Sequence, residues 1–178
     1  VDPDMVFRAP VTTPVAPGAP RAQHWVGFHP SGSAVDVLLD ETGVDPADLQ
    51  TITWPALIHT SDLEALLPRW IDLTAAVRER VGLWESDMVA FVGAAAEAGL
   101  RFTPDTLGAF MNWPEETVAG APIIHYCQPV EDRHGQVLWT KHDYHPWDPI
   151  EADPADARLD YCRDLLVILK DFVATRQR

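Results

Sequence analysis

Cations are scarce in this chain. Lysine and arginine together number 13 against 27 aspartates and glutamates, a formal charge of -14 over 178 residues. A surface of that sign repels phosphate backbones and anionic lipid, which argues against work on nucleic acid or at a membrane surface. Cysteine is equally sparse. Cys127 and Cys162 are too few for a disulfide framework and read as two reduced thiols of a cytoplasmic protein. No apolar run is long enough to span a bilayer, and no signal peptide is visible. Missing too are the G-x-G-x-x-G and G-x-x-x-x-G-K-[ST] loops and a complete βαβ nucleotide-binding unit. What is present is ordinary for a globular domain with a core: 47% hydrophobic and 22% charged residues.

Proline and tryptophan are the abundant types, at 16 and 7 residues. Pro10, Pro14, Pro17 and Pro20 with Gly18 predict a loop over 10–21, because proline offers no N–H to a ladder. Residues 23–28 read as a short strand. Residues 29–50 read as loop with a short helical segment at 45–50, capped by Asp45 and opened by Pro46. Residues 52–58 read as extended, interrupted by Pro55. Ser61-x-x-Glu64 has the form of a capping box, followed by a helical stripe of Leu63, Leu66, Leu67, Trp70, Leu73, Thr74 and Val77. A second helix is expected over 85–98, ending at Gly99, with Gly93 to Ala96 as a close-packing face against a sheet. Thr103-Pro104 predicts a short third helix. Residues 122–127 predict a buried strand, and 136–141 another after a turn at His134-Gly135. Asp153-Pro154 predicts the start of a last helix, with Leu159, Cys162, Leu165, Leu166, Leu169, Phe172 and Val173 as its apolar stripe. The class is mixed α/β.

Four clusters carry candidate chemistry. Asp2-Pro3-Asp4, ahead of apolar Met5-Val6-Phe7, offers two carboxylates to a hard divalent cation such as Mg2+ or Mn2+. Trp84-Glu85-Ser86-Asp87 sets acids in a first helical turn, where the macrodipole alone would favour them; the functional alternative is a carboxylate aimed into a cleft. His125 follows a short apolar strand, the position of a metal ligand or of a hydrogen-bonded core imidazole. Lys141, one of few cations, can offset diphosphate charge. His142, Asp143 and His145 beside it, with His125, form the basis of a competing reading: a hydrolase or a non-haem iron oxygenase. A non-catalytic carbohydrate-binding domain built on the tryptophans is a third.

The order of these islands is distinctive. After the D-x-D pair and the proline-rich loop come Leu57-Ile58-His59-Thr60-Ser61-Asp62-Leu63 and Pro68-Arg69-Trp70. Trp84-x-x-Asp87-Met88-x-Ala90-Phe91, Ile123-Ile124-His125-Tyr126-Cys127 and Trp139-Thr140-Lys141-x-x-Tyr144 follow. The series resembles the hydroxyproline O-arabinosyltransferase and peptidyl serine α-galactosyltransferase group of GT-A glycosyltransferases, over most of residues 1–145.

The resemblance implies a GT-A-like mixed sheet flanked by helices. It implies residues 1–150 as the C-terminal part of the catalytic domain and 151–178 as a helix packed on it. Because the chain opens at the metal motif, the nucleotide-binding part is expected upstream of Val1. The activity implied is metal-dependent transfer of a sugar, with retention, from a nucleoside-diphosphate sugar (a UDP-sugar) to an acceptor hydroxyl on a peptide or small molecule. Asp2, Asp4 and His125 match the ligands of Mn2+ or Mg2+. Asp87 matches the carboxylate of a Trp-x-x-Glu-Met motif, here one methylene shorter. Lys141 matches a lysine on the donor phosphates; the family's next residue is arginine, here His142. Trp113, Glu85 and Tyr126 are the expected substrate contacts.

Overall fold

Apolar residues three and four apart leave a helix no stable alternative to burying one face, and the longest helix of the protein is built this way. In the computed structural model, which describes residues 5–24, 32–110, 118, 120–143 and 148–176, it runs over Thr60–Val81 and buries Leu66, Leu73 and Val77. Its start differs from the expected capping box. The cap is His59, whose Nδ1 accepts from the Ser61 N–H at 3.3 Å. With the imidazole in that role, Ser61 lies inside the helix. Leu67, expected in the buried stripe, is exposed.

The chain divides into two compact units. Unit 1 is Val11–Leu107, and unit 2 combines residues 5–10 with 108 onward. The later boundary between the units falls at Leu107–Gly108, and the last helix shares the core of the sheet that precedes it. Among the described residues the protein is mixed α/β, with small sheets and four helices.

Unit 1 contains strands β2 (Arg21–His24), β3 (Ile52–Leu57) and β4 (Thr103–Asp105), ordered β3-β2-β4. Its helices are α1 (Ser33–Thr42), α2 (Thr60–Val81) and α3 (Ser86–Glu97). Helix α1 lies in the stretch expected to be mainly loop. Ala34, Val37 and Leu38 bury one face of it, and Gly43 closes it in the left-handed region. The short helical segment after it is a 3-10 turn over Pro46–Asp48, and Asp45 caps it as expected by accepting from the Ala47 N–H.

Thr103-Pro104 forms a strand and not a helix. β4 pairs in parallel with β2, placing Pro104 opposite Ala22. Proline is tolerated there because β4 is an edge strand and its missing donor breaks no ladder. The Gln50 side chain meets both backbone groups of Phe102, donating to the carbonyl at 3.0 Å and accepting from the N–H at 2.8 Å.

On the Gly- and Ala-rich face of α3, Gly93 meets a helix, while Ala94 and Ala95 share a core with Ala22 and Ile52 of the sheet. A Cβ on Gly93 would stand 2.7 Å from Leu38 Cδ2 of α1, so the absent side chain is what allows the approach. Four rings pack together at this core, Trp54 and Trp70 only partly buried. Phe91 lies 4.6 Å from Trp54, 5.1 Å from Trp70 and 5.3 Å from Phe102, centroid to centroid.

Unit 2 contains β1 (Met5–Phe7), β5 (Gly108–Phe110) and β6 (Ile123–His125), ordered β1-β6-β5, and a hairpin of β7 (Val130–Glu131) and β8 (Val137–Trp139). The expected buried strand is β6, all three residues of which are buried. The hairpin turn is held by Asp132, whose Oδ1 accepts from the N–H of His134 and of Gln136. Those amides, that of Gln136 foremost, hold its carboxyl below the ordinary range. Asp153-Pro154 opens only a 3-10 turn. The chain then extends, with Ala157 bridged to Asp132, before helix α4 (Asp160–Arg176) begins. Helix α4 buries Tyr161, Cys162, Leu165 and Leu166, whereas Phe172 of the expected stripe is exposed. Cys127 and Cys162 are not joined in a disulfide.

Leu73 is fully buried in the core of unit 1. Leu73→Ala is expected to lower stability by about 2–5 kcal/mol, read as a shift in the midpoint of urea denaturation at unchanged slope.

Candidate functional site

Two surface depressions, one in each unit, are each lined by one of the expected site residues, Asp87 and Tyr126. The first runs along α2 and the start of α3. It encloses about 380 Å³ and is lined by Leu67, Trp70, Ile71, Thr74, Ala75, Arg78 and Asp87. The helical repeat explains the lining. Residues 67, 71, 75 and 78, and residues 70, 74 and 78, follow one face at spacings of three and four.

Asp87 enters from α3, held by its backbone: its carbonyl oxygen accepts the Trp70 indole N–H at 2.7 Å. The side chain is exposed, and among the described residues its carboxylate has no hydrogen bond or ion pair. Glu85 is the residue capping α3, and its side chain makes no capping bond. Trp84, just before it, is 75% exposed.

The second depression is in unit 2. It encloses about 300 Å³ and is lined by Val6, Phe7 and Arg8 from β1 and its exit, Tyr126 after β6, and Tyr161, Asp164, Leu165 and Ile168 from α4. The Tyr126 hydroxyl donates to the Tyr161 carbonyl at 3.2 Å. Burial pushes the Tyr126 phenol up to about 12; the neighbouring Cys162 adds to this, Arg8 opposes it, and Asp164 adds again. Tyr126 is therefore a neutral donor at physiological pH, not a base.

His125 is the last residue of β6 and is buried. The β1–β6 ladder is antiparallel and sets Met5 opposite His125. Lys141 does not end a strand as expected. β8 stops at Trp139, and Lys141 begins a 3-10 turn over Lys141–Asp143, half-buried, with His142 and Asp143 exposed.

The expected site residues thus fall into two sets. Glu85 and Asp87 belong to unit 1; His125, Tyr126 and Lys141 belong to unit 2. Asp2, Asp4 and Trp113 lie outside the described residues, as does His145 of the competing reading. Among the described residues no three His, Cys, Asp or Glu side chains converge as a metal centre. Arg78, Arg8 and Asp164 are not among the expected site residues, and Thr74 is expected only in the helical stripe. The Trp70–Thr74–Arg78 spacing could have pointed to Arg78, but it differs little from any exposed helix face.

No protein-family model, curated protein or solved structure matches the chain.

The phenol of Tyr126 supplies a pH prediction. Its folded value lies above the ordinary value of about 10. Its contribution to stability is complete below about pH 10 and is lost as pH rises through about 12. Difference absorbance near the phenolate band should show a late-titrating tyrosine in the folded protein, and Tyr126→Phe should remove that step.

Proposed function

We propose that the protein is a metal-dependent glycosyltransferase of GT-A type that retains anomeric configuration. It moves a sugar from a nucleoside-diphosphate sugar to an acceptor hydroxyl. The observation that carries the reading is the β1–β6 register. Asp2-Pro3-Asp4 runs directly into β1, whose first residue, Met5, is the ladder partner of His125. Met5, which directly follows Asp4 in the sequence, and His125, about 120 positions later, thus belong to adjoining strands.

The donor set suits the metal. Two carboxylates and an imidazole are ligands for Mn2+, and for Mg2+ through its oxygen partners. Asp2, Asp4 and His125 would hold it, and when bound it neutralises charge on the departing diphosphate. Lys141 adds a point charge for the diphosphate. Asp87, which is exposed, would accept a hydrogen bond from the acceptor hydroxyl and orient it. The Tyr126 hydroxyl, committed to the Tyr161 carbonyl, keeps its lone pairs for a substrate donor.

The test is hydrolysis of a UDP-sugar by the protein with added Mn2+. Chelation should abolish turnover and Mn2+ restore it. Asp4→Ala and His125→Ala should each lower turnover by about 100-fold or more, the usual scale for loss of a metal ligand or its support. Turnover that is indifferent to chelator and to both substitutions would sink the assignment. Asp87→Asn should reduce transfer to an acceptor by about 100-fold while reducing hydrolysis less, a split that separates acceptor handling from leaving-group chemistry.

A further inference from the structure

The groove along α2 and α3 holds two charged groups that the folding of unit 1 does not employ. Asp87 and Arg78 both line it, yet they form no ion pair with each other. Neither side chain has a hydrogen-bond or ion-pair partner among the described residues. Other arginines of unit 1 behave differently. Arg21 holds Asp105, Arg69 holds Glu97, Arg80 holds Asp40, and Arg101 holds Asp48. Among the described arginines of unit 1, Arg78 is the exception, and in a chain with a formal charge of -14 it is where a small anion would be attracted.

The remaining lining is apolar or already committed. Leu67 and Ile71 stand in solvent, Ile71 at 59% exposure. The Trp70 N–H is given to the Asp87 carbonyl, and the Thr74 hydroxyl donates to the Trp70 carbonyl at 2.8 Å. The groove therefore presents a hydrophobic wall, one carboxylate that can only accept, and one guanidinium that can only donate. Its volume of about 380 Å³ falls within the usual span of small-molecule sites.

We propose that this groove binds a small hydroxy acid with an apolar body. The ligand's carboxylate lies on Arg78, its hydroxyl donates to the Asp87 carboxylate, and its body rests on Leu67, Trp70 and Ile71. A neutral alcohol would leave Arg78 unused, and an acid without a hydroxyl would leave Asp87 unused. That this ligand is the sugar acceptor rests on the glycosyltransferase reading above; the binding itself does not.

The experiment is calorimetric titration of the full chain with three probes: 3-(4-hydroxyphenyl)propanoate, its methyl ester, and 3-phenylpropanoate. The hydroxy acid should bind at one site, and each of the other two roughly tenfold more weakly, the scale of one lost charge-assisted hydrogen bond. Arg78→Gln should bring the hydroxy acid down to the level of the ester without changing the affinity for the ester. Asp87→Asn should bring it down to the level of phenylpropanoate. Both side chains are exposed, so thermal melts of the variants should overlay that of the parent and certify the fold.

Equal affinity for all three probes, or equal losses for every probe in both variants, would overturn the site. So would an Ile71→Glu variant that changes the elution volume on a sizing column, since the face would then be covered by a second copy. Donor hydrolysis measured on the same preparation keeps the two readings apart. Selective binding without Mn2+-dependent hydrolysis upholds the groove and removes the glycosyltransferase; hydrolysis without selective binding does the reverse.

Discussion

The Trp70 indole joins the two halves of the helical hairpin in unit 1. Its ring packs on Phe91 and, at 5.4 Å, on Trp54, while its N–H reaches the Asp87 carbonyl. A carbonyl has two lone pairs, so the bond can form without taking the oxygen from the first turn of α3. The bond gives the indole N–H of this partly buried ring a protein acceptor at the rim of the aromatic cluster. The satisfied donor fixes where α3 begins relative to α2, and so where the carboxylate of residue 87 emerges. Core packing and the placement of a surface acid are two consequences of one contact.

The two units use opposite electrostatic devices. Unit 1 leaves an acid and a base unpaired on an open apolar face. Unit 2 buries a phenol until it ceases to titrate in the ordinary range and sets an imidazole at the end of a fully buried strand. Burial strengthens hydrogen bonding and any ligand bond within reach. Exposure, in a strongly acidic protein, leaves each cation to compete with many carboxylates, which is why most arginines of unit 1 are already occupied.

Periodicity and capping chemistry made much of this architecture legible. α2, α3 and β6 follow from their apolar spacing, and the Asp45 cap follows from its position before Pro46. Misreadings arose where tertiary partners outweighed local preference. Thr103-Pro104 resembles a helix start until β2 supplies a parallel neighbour and Arg21 an ion pair for Asp105. His59 is a poor cap by composition, yet it displaces Ser61. Ala34, Val37 and Leu38 are too few and too close to Gly32 and Gly43 to announce a helix before α3 is there to cover them. The candidate site was legible only in part. His125 and Asp87 stand out as residues, but the pairing of His125 with Met5 depends on strand register, which no local pattern encodes. Arg78 is unremarkable until the other arginines are seen to be occupied.

The β1–β6–β5 ladder has a consequence for the ancestry and synthesis of the chain. Phe7 and Gly108 both face Ile123, from opposite sides of β6. With neighbouring strands about 4.8 Å apart, the points where the chain departs after β1 and resumes at β5 are separated by roughly 10 Å. Residues 11–107 are thus a detour with nearly coincident ends, the geometry of a module spliced into a host. Such a module can be enlarged, exchanged or trimmed over evolutionary time while the host ladder keeps its register. On the ribosome the same connectivity imposes a delay: β1 is made first, yet it has no partner until more than a hundred further residues have been translated.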